Sequence, residues 1–514
     1  MDLNLAFLIV SYQAIIEAQA AETQELRQLI EQQQEQIQLL LGERFGASSE
    51  KKKKPPENPP NPSSSVSSKK RGSRKPLPDS LPRTQNRIDL SEEEKQCSCG
   101  ALLECIGQEV SEKLNIIPAR VEVLQTIRPQ YTCRRCENLD GNPDHHSSPI
   151  RVAPLPPQLL GKAQVTEASL AHFITAKLVD ALPFYRQEQQ WKRSGVKLSR
   201  SKLSQWMIQV SERLKTIHLI LKEEVLKQHL IQIDESTIQV LKEPGRKAKN
   251  KSYIWVMKGY GKASAGLFYY HYDPHRSGEV AQELLDSFEG VVQSDGYVGY
   301  DFLHGKNTSI DAHAGCWAHA RRKFIEVEKS LSPVQKKEEG LLYQKALKFI
   351  AQLYGVDQKL RQQQVSSEER VRLRQQQTQK TIDEFDQWLT HHQPLVPPKS
   401  LLGKAINYTL NQWKRLTVFL KHPVELDNNG VENAIRPLAV GRKNYLFADR
   451  PEGATALARL YSLIETAKAH EWNPYEYLKF LFEALPQTND QDKEALKALL
   501  PHLRKPSSQQ TMPG

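Results

Sequence analysis

The stretch that most limits the fold lies at residues 229–300, where strand-like runs precede a helix-like run. Apolar, β-branched and aromatic residues dominate three runs, which turn or linker residues separate: "HLIQIDESTIQVL", "SYIWVMKGY" and "AGLFYYHYD". A helix is predicted at about residues 277–288, and a fourth strand, "GVVQSD", follows it. This order predicts an α/β unit, in which the fourth strand commonly lies beside the first.

Two aspartates lie within or at the end of these predicted strands. Asp234 has Ile231 and Ile233 before it and Ile238 after it, although aspartate is depleted in strand interiors. An exposed edge strand would explain this, but buried carboxylates are usually paired or bind metals, so we favour a functional role. Asp295 ends the fourth strand, where Asp-Gly is also an ordinary turn signal. Because functional groups of α/β sheets gather where strands end, it becomes the second candidate.

Two neighbouring aspartates require a counter-charge. Carboxylates about 4 Å apart repel each other by roughly 4 kcal/mol at an effective dielectric of 20. Oxygen ligands without a nearby histidine pattern favour Mg²⁺ or Mn²⁺ over zinc. A pair of such ions activates a water or hydroxyl and stabilises the leaving oxygen in phosphodiester cleavage and transfer. A third carboxylate is therefore expected elsewhere in the chain.

The segment "ELDNNGVENAIRP", residues 425–437, contains a candidate for this carboxylate. Asn429 and Glu432 have the spacing of a helix N-cap, which predicts a helix with Glu432 in its first turn and Pro437 ending or kinking it. Glu432 and Arg436 also have the spacing of a helical surface ion pair. From these residues alone, a catalytic and a purely structural role of Glu432 are both open.

The composition bounds the class of protein. The 514 residues exceed one ordinary core, so several domains are expected. A net charge of +11 favours a polyanionic partner, most simply nucleic acid. No apolar run approaches the roughly 20 residues of a membrane helix, no basic signal-peptide start is present, and the sparse cysteines fit a reducing compartment. An intracellular protein is expected.

The N-terminal part is predicted to be extended rather than globular. Residues 46–90 are rich in Lys, Pro and Ser and are predicted to be a disordered basic linker, which either contacts DNA phosphates or is only solvated. Residues 1–45 are predicted to be helical, and their heptad spacing favours a short coiled coil and self-association over a single docked helix. The a and d positions are Ile16, Thr23, Ile30, Ile37, Gln19, Leu26, Gln33 and Leu40.

Most of the remaining chain is predicted to be helical. In residues 151–228, Gly195 ends one helix and Ser199 caps the next, which carries Arg200 and Lys202, an arrangement that resembles a helix-turn-helix. Two packed core helices would give the same pattern, so DNA contact and a core role are equally open. Residues 330–425 and 426–485 are also predicted to be mostly helical, and residues 486–514 form a polar C-terminal tail.

Four long motifs occur in the order and spacing of one known family. They are "IDEST" around Asp234, "YDPHRSGEVAQELLDSFEGVVQSDGYVGYD" through Asp295, "HAGCWAHARRKF" at 313–324 and "DNNGVENAIRPLAVGRKNYLF" at 427–447. With them the chain resembles, over nearly its whole length, the D-D-E transposases of bacterial insertion-sequence family sixty-six.

The resemblance implies an RNase H-like catalytic core in two parts, residues 229–329 and 426–485, around a helical insertion at 330–425. It implies divalent-metal-dependent cleavage of DNA at the element's terminal inverted repeats and attack of the freed 3′-hydroxyls on target DNA. A homo-oligomer, element-encoded accessory proteins and a location at the nucleoid in the bacterial cytoplasm are further expectations. The implied acidic triad, which holds Mg²⁺ or Mn²⁺, is Asp234, Asp295 and Glu432.

Residues 91–150 contain five of the six cysteines. "CSCG" and "CRRC" resemble the zinc-binding module of the same family, a structural site of four thiolates, with incidental reduced thiols as the alternative. Because the first pair is spaced C-x-C rather than C-x-x-C, Cys105 is an alternative ligand. The sixth cysteine, Cys316, is interpreted as a small core residue. The implied zinc ligands are Cys97, Cys99, Cys133 and Cys136.

Basic side chains accompany the last two motifs and form either an exposed basic face or phosphate contacts beside the active site. The residues for which DNA contact is predicted are Arg200, Lys202, His319, Arg321, Arg322, Arg436, Arg442 and Lys443.

Two other functions stay open: a zinc-bearing DNA-binding regulator without catalysis, and an RNase H-like nuclease without strand transfer.

Overall fold

The computed structural model describes residues 121–131, 150–161, 163–261, 265–304, 309–332 and 334–506, and scattered positions between Gln19 and Ile37. The predicted linker at 46–90 and the five clustered cysteines lie outside these residues. The described positions between Gln19 and Ile37 are helical and exposed. Pairing of this segment as a coiled coil stays a prediction.

The chain divides into two compact units. In the smaller unit, residues 49–153, β1 (Gln130–Tyr131) pairs antiparallel with β2 (Arg151–Val152). The Arg128 guanidinium donates a hydrogen bond to the Ala153 carbonyl at 2.9 Å. The elements named from here on belong to the larger unit, residues 1–48 and 154–514.

A five-stranded sheet of order β5-β4-β3-β6-β7 lies at the centre of the larger unit. Its strands β3, β4 and β5 are antiparallel neighbours, whereas β6 runs parallel to β3, and β7 parallel to β6. The predicted α/β unit, with its fourth strand beside the first, is confirmed by the pairing of β6 with β3. The strands are β3 (Leu230–Gln239), β4 (Lys251–Tyr260), β5 (Leu267–Asp273), β6 (Gly290–Gln293) and β7 (Ile310–Ala314).

Both faces of this sheet are covered, because alternate side chains of a strand point to opposite faces. On β4, Ile254 and Val256 belong to the core shared with the N-terminal and C-terminal helices. Trp255 and Met257 belong to a second core beside the helix that connects β5 and β6. The buried β6 fits the rule that parallel strands are enclosed on both sides.

The N-terminal helices confirm the predicted capping pattern. The Ser199 hydroxyl accepts a hydrogen bond from the Lys202 N–H at the start of α3, and Gly195 has a φ of +80°, which glycine adopts without strain. Trp191 and Trp206 of this helix pair are buried. The helices are α1 (Glu167–Leu178), α2 (Phe184–Arg193), α3 (Arg200–Arg213), α4 (Lys215–Leu226) and α5 (Gly278–Leu284).

Of the described α-helices after β7, one precedes the predicted insertion at 330–425 and four lie within it, and all five enclose a separate aromatic core that includes Trp317, Phe385 and Trp388. They are α6 (Trp317–Ser330), α7 (Leu342–Gln362), α8 (Ser367–His392), α9 (Leu401–Asn411) and α10 (Trp413–Leu416). Among the described residues, no helix has the length and apolar content needed to cross a membrane.

The C-terminal helices protect the edge of the sheet. On α12, Ser462 and Thr466 accept hydrogen bonds from the N–H groups of Tyr270 and Phe268 on the edge strand β5, at 2.8 and 3.0 Å. Backbone donors of this edge are thereby paired rather than open to another strand. The helices are α11 (Asn429–Tyr445), α12 (Pro451–Ala469), α13 (Pro474–Ala484) and α14 (Lys493–Lys497).

The segment assigned from sequence to a C-terminal tail is partly packed. Leu496 and Leu500 are buried in the main core, and the Trp472 indole N–H donates to the carbonyls of Pro501 and Arg504, both at 3.2 Å. The folded part of the chain therefore extends to residue 506 at least. Residues 507–514 lie outside the described residues.

A buried ion pair joins α7 to α8. The side chains of Asp357 and Arg374 are only 5% and 1% exposed. Arg374 Nε donates to Asp357 Oδ1 at 2.8 Å, and Arg374 Nη1 donates to the Val424 carbonyl at 2.6 Å. The same guanidinium thus connects both helices to the segment that leads into α11.

We expect Arg374→Met to lower the free energy of unfolding by about 3 kcal/mol, because it leaves the Asp357 carboxylate buried with one fewer partner. Urea denaturation followed by circular dichroism measures the change. The matched control is Arg372→Met, two residues earlier on the exposed face, where the ion pair with Glu369 lies in solvent and no change is expected. Equal unfolding curves for both variants would contradict a structural role of the buried pair.

Candidate active site

The two predicted aspartates occupy equivalent positions on neighbouring parallel strands. β3 and β6 pair at Gln232 and Gln293, the last rung between them, and Asp234 and Asp295 each follow two residues later. Parallel strands carry their C-terminal ends to the same edge of a sheet. This register therefore brings the two carboxylates to the same place.

Asp234 lies in the electrostatic field of three other acids. Burial, and then the negative charges of Glu235, Asp295 and Glu432, raise the pKa of Asp234 to about 8. The Glu235 N–H donates to Asp234 Oδ1 at 2.8 Å, which opposes this shift only in part. The structure thus brings together the three acids that the sequence analysis selected.

The loop after β6 fixes Asp295. The Tyr297 N–H donates to Asp295 Oδ1 at 2.9 Å, the local turn that aspartate commonly forms. The preceding Ser294 donates its hydroxyl to the Asp295 carbonyl at 3.0 Å and lies 2.7 Å from Nε2 of His313 on β7. The turn itself therefore holds the Asp295 carboxylate, and the contact of Ser294 with His313 links this turn to β7.

Glu432 lies in the first turn of α11, as predicted, but the helix begins differently. The N-cap is Asn428 and not Asn429. Asn428 is fully buried, and its side-chain amide donates to the Ile233 carbonyl of β3 at 3.3 Å instead of capping. The predicted cap at Asn429 is wrong, because two adjacent asparagines offer the same local signal and a tertiary contact decides between them.

Pro437 was predicted to end or kink the helix. It does not end it, because the helix continues to Tyr445; a kink at Pro437 stays a prediction. Val431 and Leu438 are completely buried in the core on either side of the proline. Their burial holds both halves of α11 against the sheet, although proline removes one backbone hydrogen bond.

Two buried glutamines connect the start of α11 to the sheet. Gln232 Oε1 accepts hydrogen bonds from the Val431 N–H at 3.1 Å and from the Tyr260 hydroxyl at 2.9 Å. Gln232 Nε2 donates to Gln293 Oε1 at 2.8 Å and to the Asp427 carbonyl at 2.9 Å. The Val431 N–H, which also donates to the Asn428 carbonyl at 3.2 Å, thus ties the helix terminus to a strand side chain. Sequence reasoning missed both glutamines; their signal is a pair of amides in otherwise apolar strands.

The carboxylate of Glu432 faces α6. Its Oε1 lies 3.8 Å from His319 Nδ1, and its Oε2 lies 3.8 Å from an Arg322 guanidinium nitrogen. Burial and the Arg322 charge lower the pKa of His319. The alternative ion pair between Glu432 and Arg436 does not form among the described residues, where Arg436 is exposed.

Glu235 was not selected from sequence, although it neighbours Asp234. Its side chain forms an ion pair with Arg276 and accepts a hydrogen bond from the Tyr300 hydroxyl at 2.8 Å. Burial raises the pKa of Glu235, while Tyr300 and Arg276 oppose that shift. The Arg276 guanidinium also stacks on the Tyr297 ring at 3.8 Å. Glu235 therefore has its own counter-charge, unlike Asp234.

The basic residues selected from sequence lie in two regions. Arg200 and Lys202 are at the start of α3, where Lys202 Nζ donates to Gln164. The others lie on α6 and α11, the two helices that carry His319 and Glu432. Among them, Arg442 donates to the hydroxyls of Ser236 and Thr237 on β3, both at 3.1 Å. Contact of any of these residues with DNA stays a prediction.

The donor set fits a hard divalent cation. The carboxylates supply oxygen ligands, and the raised pKa of Asp234 shows that negative charge at this point lacks compensation. Glu432 Oε1 is buried without a hydrogen-bond partner among the described residues. Both observations indicate that positive charge is missing from the cluster.

The family model described as "Transposase IS66 family" matches residues 162–456, a range that includes all three acids. The chain belongs to the IS66 transposase family. A model of the IS66 C-terminal element matches residues 462–502. Membership in this family makes the chain a DNA-processing enzyme of an insertion sequence, as the resemblance of the four motifs implied.

Curated IS66-like relatives cover most of the chain. It is 32% identical over 422 residues to the uncharacterized protein y4jD of Sinorhizobium fredii, covering 80% of this chain and 78% of the relative. It is 29% identical to the uncharacterized protein y4qI of the same organism, over 82% of this chain and 76% of the relative. None of the solved structures matches the chain.

The zinc prediction is supported at the level of the domain. A model described as the zinc-finger binding domain of transposase IS66 matches residues 94–137. This range contains five cysteines, so a structural zinc ion in the IS66 module follows. The identity of its four ligands stays a prediction, because these cysteines lie outside the described residues.

The uncompensated charge predicts how stability depends on pH. In buffer without divalent cations, Asp234 has a pKa of about 8 in the folded chain and therefore keeps its proton up to about that pH. In the unfolded chain it has its ordinary pKa of 3.8 and loses the proton at much lower pH. The folded state therefore binds more protons between these values, and the free energy of unfolding falls as the pH rises through them.

Thermal denaturation at about pH 5 and about pH 8 measures this fall. The asparagine in Asp234→Asn cannot titrate, so this variant should lose the part of the pH dependence of stability that Asp234 causes. Its melting temperatures at the two pH values should therefore differ less than those of the natural chain. An unchanged difference in Asp234→Asn would show that other groups cause the pH dependence.

Proposed function

We propose that this chain is the transposase of an insertion sequence, which cuts DNA at the ends of its element and joins the freed ends to target DNA. We assign Asp234, Asp295 and Glu432 as the D-D-E triad. The observation that carries this proposal is the proximity of the other two acids to Asp234, which raises its pKa. A glutamate with only a structural role in α11 would not need two aspartates from other strands beside it.

We also propose an RNase H-like fold for the catalytic core. Three antiparallel strands, a helix and two parallel strands in the order β5-β4-β3-β6-β7 support it. The helical insertion between β7 and α11 would then separate the third acid from the first two in sequence only.

Each acid has a defined support for this role. The middle of β3, just beyond its last pair with β6, positions Asp234. The turn after β6 positions Asp295, and α11 positions Glu432 through the glutamine contacts. A bound Mg²⁺ or Mn²⁺ pair would supply activation of the attacking oxygen and stabilisation of the leaving oxygen. The fold needs to hold these three carboxylates in place before the metal ions bind, because a site is effective only when its groups are held near productive geometry.

DNA recognition is assigned to basic residues around this cluster. We assign Arg322, whose side chain is 47% exposed beside Glu432, to contact with a DNA phosphate next to the triad. The DNA-contacting surface would continue along α6 and α11 through His319, Arg321, Arg436, Arg442 and Lys443. Arg200 and Lys202 of the helix pair α2–α3 would contact the element ends. The proposal also includes a homo-oligomer and accessory proteins. It includes a structural zinc ion bound by Cys97, Cys99, Cys133 and Cys136.

The test uses the purified full chain, Mg²⁺ and a DNA duplex that carries the inverted repeats flanking the gene. We expect nicks at the repeat ends and products joined to a second duplex, and neither product from a duplex with scrambled ends. Specific binding without nicking at any protein concentration would indicate a DNA-binding regulator. Nicks without joined products would indicate a nuclease.

A further inference from the structure

Cys316, His319 and Glu432 form a cluster whose chemistry differs from that of the two aspartates. Their ligand atoms, a thiol sulfur, an imidazole nitrogen and a carboxylate oxygen, all lie within 4.8 Å of one another. Cys316 is the N-cap of α6, and His319 follows three residues later on that helix. This spacing turns both side chains to the same face, toward the first turn of α11.

Two atoms of this cluster indicate a missing ligand. His319 Nδ1 and Glu432 Oε1 are buried and have no hydrogen-bond partner in the described part of the chain. They are 3.8 Å apart, too far for a hydrogen bond between them. Each buried polar atom without a partner costs about 1–3 kcal/mol. A fold that places two of them face to face leaves room for a group that binds both.

The spacing suits a tetrahedral metal ion. Usual zinc–ligand distances of about 2.0–2.3 Å put neighbouring ligand atoms of a tetrahedral site about 3.3–3.8 Å apart. The observed 3.8 Å therefore requires only a small movement. Arg322 lies beside the other oxygen of Glu432, Oε2, and its side chain is 47% exposed.

The Cys316 thiol is prepared for such an ion. The Asn428 N–H donates to its sulfur at 3.2 Å, and the His319 backbone N–H is a second donor. A metal ion replaces the thiol proton on binding, and N–H donors stabilise the resulting thiolate.

We propose that Cys316, His319 and Glu432 bind a thiophilic divalent cation of the Zn²⁺ type, and that this ion withdraws Glu432 from the two aspartates. A thiolate ligand selects thiophilic ions, whereas carboxylates alone suit Mg²⁺. Both sites use Glu432, so the ion competes with Mg²⁺ for this carboxylate. The ion is thus an inhibitor that acts on the third acid. Inhibition rests on the proposed transposase function; binding of the ion does not.

The binding test uses the full chain with its cysteine module already filled with Zn²⁺, to which Co²⁺ is added. Cobalt bound to a thiolate has visible and charge-transfer absorption bands. We expect these bands in the natural chain and their loss in Cys316→Ser, whose hydroxyl still accepts the Asn428 N–H. His319→Gln, the second variant, should bind Co²⁺ at least about tenfold more weakly. Identical spectra for the natural chain and both variants would overturn the site.

The inhibition test measures Mg²⁺-dependent nicking at increasing concentrations of added Zn²⁺. We expect the concentration for half inhibition to be at least about tenfold higher in Cys316→Ser. If the chain shows the Cys316-dependent cobalt bands but never nicks DNA, the transposase proposal fails and the metal site stands. If it nicks DNA but its spectrum does not depend on Cys316, the metal site fails alone.

Discussion

Glu432→Gln is expected to lower Mg²⁺-dependent strand cleavage by at least about 1,000-fold, equivalent to about 4 kcal/mol of transition-state stabilisation. The amide keeps the size of the side chain but removes the negative charge that a divalent cation requires from the third ligand. The appearance of nicked product over time measures the loss. Val431 and Leu438, both fully buried, continue to hold α11, so melting temperature and DNA binding should stay near those of the natural chain.

A matched control is Glu452→Gln, which removes a glutamate from the first turn of the next helix, α12, where the side chain is exposed. Its cleavage rate should be unchanged. Full cleavage by Glu432→Gln would show that Glu432 is not part of the triad. Asp234→Asn and Asp295→Asn should lose activity to a similar extent, and a variant that cleaves normally would remove its residue from the site.

Gly430→Ala is expected to reduce cleavage by about 100-fold and to destabilise the fold by about 2 kcal/mol. An added methyl group would lie 2.0 Å from the Tyr260 hydroxyl oxygen and 2.3 Å from Gln232 Oε1. Neither atom moves freely, because they are hydrogen-bonded to each other and Gln232 also accepts the Val431 N–H. The first turn of α11 must therefore move, and Glu432 moves with it.

The control is Gly355→Ala in the middle of α7, where an added methyl group meets nothing within 4 Å. There alanine should stabilise the chain by up to about 1 kcal/mol, since it favours a helix more than glycine does. Urea denaturation and the nicking assay are applied to both variants. A neutral effect of Gly430→Ala on both measurements would mean that close contact with Gln232 does not position Glu432.

The sequence predicted the parts of the site that local patterns specify. Asp234 stands out in an apolar strand, and the order of strands predicts that β6 lies beside β3, which brings in Asp295. The short strand β7 was missed because Asp311 and His313 weaken its apolar signal. These features depend on residues close in sequence or on general rules for sheets.

Contacts between distant segments could not be predicted in the same way. Gln232 looks like an ordinary strand residue until its amide meets Gln293 and the N–H of Val431. The choice of Asn428 over Asn429 as N-cap depends on Ile233, 195 residues away. The position of His319 Nδ1, 3.8 Å from Glu432 Oε1, was not predicted either. The pattern of residues along a single sequence carries no signal for such distant pairs.

The attachment of α11 to β3 has a consequence for how the chain is made. The hydrogen bond between Gln232 and Val431 spans 199 residues, and contacts of such separation form late because the loop between them must first be closed. During synthesis, β3 and β6 emerge and can pair long before α11 exists. A product that ends before residue 432 has two acids of the proposed triad but lacks the third, so under the proposed mechanism it would be incapable of cutting the genome that encodes it.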